Sequence, residues 1–369
     1  MLLGGLSKEQ VAVVLQVRTL VEVALERAAE ETQIFLLQLG CVALLNEEVL
    51  LMHDTIVRQD LDRLSPCRVY RLITQSTGIA ILFRTNSRSI GAVWTTTVKG
   101  QGVNYTPLFR NGLDLYIREK GEWVFAGVGK PSTKNTEHRS ALVKNMEEGM
   151  KECMLYLPMH NVVTSLNITV DKGAIVEPMP SPFKHKVMFV GSSITHGFSA
   201  ARPGASYVAR FGRELNVETP NIGLSGKCKL DDFFADIVCA AKADAFVFDA
   251  FSNSTDEHIK ERLRNFVKRI TTAHPNTPMI FLQTIKRDNA NFDSVARKRN
   301  DAQRTVAEKM MTEICSQYKN VYFINPGIYA GDDHEGTIDG VHLNDLGVQR
   351  TLDNIVPKIK KILKKYKIK

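Results

Sequence analysis

Ser193, Asp339 and His342 are residue types that together could move an acyl group. A serine hydroxyl attacks a carbonyl only when a base takes its proton, and an imidazole can do that near neutral pH. The serine stands in "GSSITHG" and the histidine in "GTIDGVHLND", with Asp339 three residues before it. A carboxylate on the second ring nitrogen would fix the histidine's tautomer; losing such a group costs about 10⁴ in rate. Attack on a carbonyl also creates an oxyanion that needs donors. The Ser193 backbone N–H, the Gly226 N–H in "NIGLSGK" and the Asn253 amide in "DAFSNS" could supply three, each worth about 10²–10³. Glycine at 226 permits close backbone approach.

Each residue also has a plainer reading when taken alone. Ser193 could be an ordinary turn residue, and Ser192 reads as its structural neighbour. His342 could simply precede a helix, because Asn344 and Asp345 are candidate N-caps. His196 reads as a surface or packing residue and Cys228 as a packing one. "GDDHEG", with Asp332, Asp333 and His334, reads as a solvated loop rather than a metal site.

What favours chemistry is the set of elements that must position these residues. From Lys186 onward strands are expected at 187–190, 217–222, 245–249, 278–283 and 321–324. Helical patterns fall near 204–215, 230–242, 255–273, 292–318 and 344–366. Such alternation argues for a parallel sheet with helices on both faces. Ligands of doubly wound sheets bind at the carboxyl ends of the strands. Ser193, Gly226 and Asn253 follow the first three strands and Asp339 and His342 lie beyond the last, so all five converge on one edge. "GSSIT" is not the G-x-S-x-G elbow, since Thr195 takes the place of the second glycine.

Upstream the texture differs. "CRVYRLI", "IAILFRTN", "IGAVWTTT", "GLDLYIRE", "EWVFAGV", "CMLYLPM" and "LNITVDKGAIVEP" are short, β-rich and separated by turn residues, which argues for an antiparallel β-sandwich. "PMPSPF" reads as a linker. The first fifty residues look helical, with Ser7 as N-cap and Gln10 three residues on. The expected division is a helical segment of unassigned role over 1–54, a sandwich over 55–180 and an α/β/α domain over 181–369.

Composition sets bounds. The chain has 369 residues, 44% apolar and 24% charged, ordinary for a globular protein of about two domains. The formal charge is +8, yet Lys358, Lys360, Lys361, Lys364, Lys365, Lys367 and Lys369 account for all but one of those charges. They form the solvated face of a terminal amphipathic helix, so no nucleic-acid partner is expected. The six cysteines include no CxxC pair, which disfavours a zinc site or disulfide scaffold. The most apolar stretch, "IFLLQLGCVALL", has 12 residues and is too short to span a bilayer. "MLLGGLSKEQ" carries no recognisable secretory signal.

The four blocks resemble those of the SGNH (GDSL-like) hydrolases. "GSSIT" resembles the first, with serine in place of the usual aspartate before the nucleophile; "NIGLSG" resembles the second, "FSN" the third and "DGVH" the last. "GLDLY", Gly112 to Tyr116, resembles the GxDLY motif of a sandwich domain that precedes one subgroup. The resemblance implies Ser193 as nucleophile, Asp339 and His342 completing a triad, and Gly226 and Asn253 in the oxyanion hole. The third block lacks the Gly-x-Asn-Asp form. The resemblance also implies a serine esterase without metal or organic cofactor, removing short acyl groups, acetyl foremost, from a small molecule or oligosaccharide. A lipid or thioester hydrolase, an acyltransferase of the same fold and a non-catalytic glycan-binding protein stand as alternatives. Absent a signal, a cytoplasmic location is the default, although relatives are often exported. In "GLDLY", Asp114 and Tyr116 fall on the face opposite Leu113 and Leu115, where they could support the interface between domains or touch substrate; a structural role is the favoured reading.

Overall fold

The strands of the C-terminal half owe their layout to alternating side chains. In β10 (Val187–Gly191), Val187 and Phe189 pack to one side while Met188 and Val190 pack to the other, all within 1% of full burial. Such two-sided burial belongs to a sheet covered on both faces. The computed structural model describes residues 10–13, 68–99, 102–325, 327 and 329–368, which form two units. One unit takes in Thr74–Pro182 and Arg202–Gly204; the other takes in Phe183–Ala201 and Ala205–Lys369.

The first unit is an antiparallel β-sandwich. Its strands are β1 (Gln10–Val13), β2 (Ala80–Thr85), β3 (Ile90–Thr96), β4 (Leu113–Glu119), β5 (Glu122–Gly129), β6 (Glu137–Val143), β7 (Lys151–Tyr156), β8 (Val163–Asp171) and β9 (Val176–Pro178). One sheet runs β1-β8-β3-β6 and the other β5-β4-β7-β2-β9. Ile81, Phe83, Trp94, Leu113, Leu115, Leu166 and Ile168 share the core. Asp114 is fully buried on the opposite face of β4, where its Oδ2 accepts from the Gly204 N–H at 2.8 Å and pairs with Arg202 at 2.7 Å. Arg202 also lies 4.2 Å from the Phe125 ring centroid and donates to the Tyr116 hydroxyl at 2.6 Å. The Asp and Tyr of "GLDLY" thus anchor Arg202–Gly204, a structural role.

Three expectations change here. Gln10–Val13 is a strand antiparallel to β8, not part of a helix: ladder pairing overrides local propensity. The rest of the expected 1–54 helical segment lies outside the described residues. The expected first sandwich strand, "CRVYRLI", begins at Cys67, outside the described residues, and its remainder, Arg68–Ile73, is not a strand but a helix, α1, whose Leu72 and Ile73 join the core of the second unit. Six β-rich residues are too few for periodicity to decide. β6 escaped notice because its inward residues include a buried histidine, His138.

The second unit carries five parallel strands: β10, β11 (Asn221–Gly223), β12 (Ala245–Asp249), β13 (Met279–Leu282) and β14 (Val321–Ile324). Their order, β11-β10-β12-β13-β14, places a topological switch point between β10 and β12. Helices Asp232–Ala240, Asp256–Ala273 and Ser294–Gln317 pack on one face; Tyr207–Leu215 and Asp345–Lys365 pack on the other. This is the three-layer α/β/α arrangement. Among the described residues no helix is long and apolar enough to cross a membrane.

Candidate active site

β10 ends at Gly191, and Ser192 caps the single helical turn Ser193–His196 by accepting the Ile194 N–H at 3.1 Å. Gly197 closes the turn in the left-handed conformation at φ 92°, which favours glycine. Ser193 is therefore held at the first position of a helix, where its N–H has no partner within the helix. The turn seats tightly: a Cβ on Gly223 would lie 2.1 Å from the His196 nitrogen, so β11 can approach only with glycine there.

His342 reaches this serine from far along the chain. Ser193 Oγ lies 2.9 Å from His342 Nε2, and His342 Nδ1 lies 2.7 Å from Asp339 Oδ2. Asp339 Oδ1 meanwhile accepts the backbone N–H groups of Val341 at 3.0 Å and His342 at 2.8 Å. The spacing "DGVH" follows from this local turn: one carboxylate braces the backbone with one oxygen and the ring with the other. Since an ionised carboxylate only accepts, Nδ1 carries the proton, Nε2 is an acceptor, and the Ser193 hydroxyl donates to it. Asn344 caps the following helix by accepting the Gly347 N–H at 2.9 Å, and Phe198 lies against the His342 ring at 5.1 Å between centroids.

Gly226 sits at φ 73° in a turn closed by the Lys227 N–H on the Leu224 carbonyl at 3.0 Å, a conformation that favours glycine. Leu224 donates its N–H to the Gly191 carbonyl at 2.9 Å, which ties this loop to the end of β10. Asn253 follows β12 by four residues, and its Oδ1 is buried without a hydrogen-bond partner among the described residues. Ser193, His342 and Asp339 are in direct contact; no hydrogen bond joins Gly226 or Asn253 to them.

The comparisons with known proteins decide the family. Residues 184–360 match the GDSL-like lipase/acylhydrolase family, and residues 57–176 match the GxDLY N-terminal domain of SGNH-hydrolase-type esterases. A Bacteroides ovatus protein described as a GDSL-like lipase is 40% identical, with 84% of this chain and 91% of that one covered and a TM-score of 0.79. The chain belongs to the GDSL-like lipase/acylhydrolase family. It is accordingly a carboxylic ester hydrolase of SGNH type. Two further structures share the fold. The salicylyl-acyltransferase SsfX3 from a tetracycline biosynthetic pathway is 19% identical to this hydrolase (80% and 85% covered, TM-score 0.59). A family two carbohydrate esterase from Clostridium thermocellum, solved with cellohexaose, is 13% identical (78% and 93% covered, TM-score 0.56). Among curated proteins, none matches the sequence.

Sequence reasoning passed over one buried carboxylate of this acylhydrolase. Asp249, the last residue of β12, accepts the Ser192 N–H at 3.2 Å, the Ser192 hydroxyl, the Thr195 hydroxyl at 3.3 Å and the Ser252 hydroxyl. Burial pushes its carboxyl above the usual range, and the donors from Ser192, Ser252 and Thr195 pull it back toward the charged form. The signal was an acid ending an otherwise apolar run, "AFVFD", at the sheet edge where ligands bind. His196 is fully buried and packs edge-on to Phe198. Burial raises the Cys228 thiol well above its ordinary value, Asp249 and Asp231 adding to the effect, which leaves it a poor nucleophile. His334 pairs with Asp288 at 3.0 Å.

Proposed function

We propose that this hydrolase removes short acyl groups, acetyl foremost, from carbohydrate through an acyl-serine intermediate on Ser193. The observation that carries the reading is the relay from Ser193 Oγ to His342 Nε2, 2.9 Å, and from His342 Nδ1 to Asp339, 2.7 Å. As Oγ attacks the ester carbonyl, its proton passes to Nε2, and Asp339 stabilises the imidazolium. The Ser193 N–H, the Gly226 N–H and the Asn253 amide serve the oxyanion. Collapse of the tetrahedral species breaks the bond to the alcohol, which leaves with the proton from Nε2. Water then repeats the cycle on the acyl-serine, with His342 as base.

Two features support a small acyl group on a sugar. Ser193 is only 6% exposed and Phe198 flanks His342, so the nucleophile is recessed. The fold is shared with a carbohydrate esterase that was solved with a bound oligosaccharide. The likeness to an acyltransferase keeps transfer to an acceptor hydroxyl as a second reading.

A panel of p-nitrophenyl esters of increasing chain length and of acetylated oligosaccharides tests the proposal. Turnover should fall steeply beyond short acyl chains, with acetate released from the sugars. Preference for long chains would overturn the carbohydrate reading, and acyl-sugar formed in the presence of a free acceptor would favour transfer.

A further inference from the structure

We infer that Asp249 is a positioning residue that locks the nucleophile turn and the candidate oxyanion turn into one unit. The inference rests on the reading of Ser193 as nucleophile and Asn253 as oxyanion donor. Asp249 lies directly across the ladder from Gly191. A Cβ at position 191 would fall 2.3 Å from Thr195 Oγ1 and 2.8 Å from the Asp249 Cβ, so only glycine lets the carboxylate lie against the turn.

Each oxygen of this carboxylate holds a different side of the site. Oδ2 takes the N–H and hydroxyl of Ser192 and the hydroxyl of Thr195; Oδ1 takes the hydroxyl of Ser252. Ser192 precedes the nucleophile and Ser252 precedes Asn253. Because Asp249 accepts all of these, every hydroxyl is oriented. Ser192 Oγ is left with lone pairs for the Ile194 N–H, Thr195 Oγ1 accepts from Tyr207 at 2.8 Å, and Ser252 Oγ accepts from Thr284 at 3.0 Å. The carboxylate is buried, so these hydrogen bonds, together with the attraction of the Arg287 guanidinium, compensate its burial, and losing one leaves charge or hydroxyl unsatisfied. Ser192 and Ser252 lie on different loops and are bridged by Asp249.

The test is a set of purified full-length variants assayed on p-nitrophenyl acetate alongside thermal unfolding. Asp249→Asn should lower kcat about 10²-fold with KM little changed, the scale of a site displaced by roughly an ångström. Ser192→Ala and Ser252→Ala should each lower kcat, and the double variant should lose clearly less than the product of the two losses, because both cut the same carboxylate. A folded Asp249→Asn protein with kcat within about twofold of the parent, whatever its unfolding temperature, would overturn the inference. If Asp249→Asn does not fold, fully multiplicative losses in the serine pair would overturn it. Ser193→Ala is run in parallel: retained activity there removes the nucleophile and the inference together, whereas an inactive Ser193→Ala beside a normal Asp249→Asn sinks the positioning role alone.

Discussion

Replacing Asp339 by asparagine poses a choice that the local geometry cannot satisfy. Asp339 accepts on both oxygens: Oδ1 from the Val341 and His342 backbone N–H groups, Oδ2 from the ring Nδ1–H. An amide has one accepting oxygen. If that oxygen keeps the two backbone bonds, the NH₂ group faces Nδ1 and donates to it. The ring proton then moves to Nε2, which points at Ser193 Oγ at 2.9 Å and can no longer take its proton. If the amide turns over, its NH₂ faces two backbone donors and the turn that holds the ring loses its brace. In the first case the base is in the wrong tautomer and in the second its ring is no longer held in place, while little volume changes. The expected cost is about 10⁴ in kcat, or roughly 5.5 kcal/mol of barrier. KM should stay near the parent value, since the carboxylate's hydrogen bonds go to its own turn and to the His342 ring. Steady-state kinetics on p-nitrophenyl acetate, with circular dichroism to confirm folding, would show this. A folded Asp339→Asn enzyme within about tenfold of parental kcat would refute the tautomer argument.

Three further outcomes follow from other parts of the structure. Asn253→Ala should lower kcat about 10²–10³-fold with KM preserved if its amide serves the oxyanion, and an unchanged kcat would remove it from that role. Burial holds the His138 ring down at about 4, against an ordinary value of 6.5, while the Ser132 N–H donates to its Nδ1 at 3.0 Å. The folded state thus resists protonation. Stability present above pH 6.5 should be lost as pH falls toward about 4, on the order of 2–3 kcal/mol; denaturant titrations of His138→Gln that keep the same acid slope would refute this. Asp114→Ala leaves the Arg202 guanidinium without its 2.7 Å carboxylate partner and should destabilise by about 3–5 kcal/mol, whereas a loss under about 1 kcal/mol would show the ion pair to be dispensable.

What could be read from the sequence was whatever is local in the chain. "DGVH" encodes its own turn, because the carboxylate, two backbone donors and the ring sit within four residues. The parallel strands announced themselves as apolar runs, and their alternation with helices fixed the edge on which Ser193 and His342 meet although 149 positions separate them. Asp249 was hidden because its meaning depends on Ser192 and Ser252, which only strand pairing brings to it. Arg68–Ile73 misled for the opposite reason: its β-branched and aromatic residues suit a strand, but the burial of Leu72 and Ile73 in a distant core decides for helix. Gln10–Val13 shows the same override by pairing, through β8. His138 sits inward in β6 because Thr96 and the Ser132 amide satisfy its two nitrogens, partners that no periodicity could foretell.

In the proposed chemistry one hydroxyl of this molecule is activated, and His342 activates it. Mass spectrometry after reaction with an organophosphonate probe tests it most directly. A single adduct is expected on the peptide containing Ser193, absent from Ser193→Ala and formed far more slowly in folded His342→Ala. An adduct on another residue, or labelling of His342→Ala at the parental rate, would contradict it.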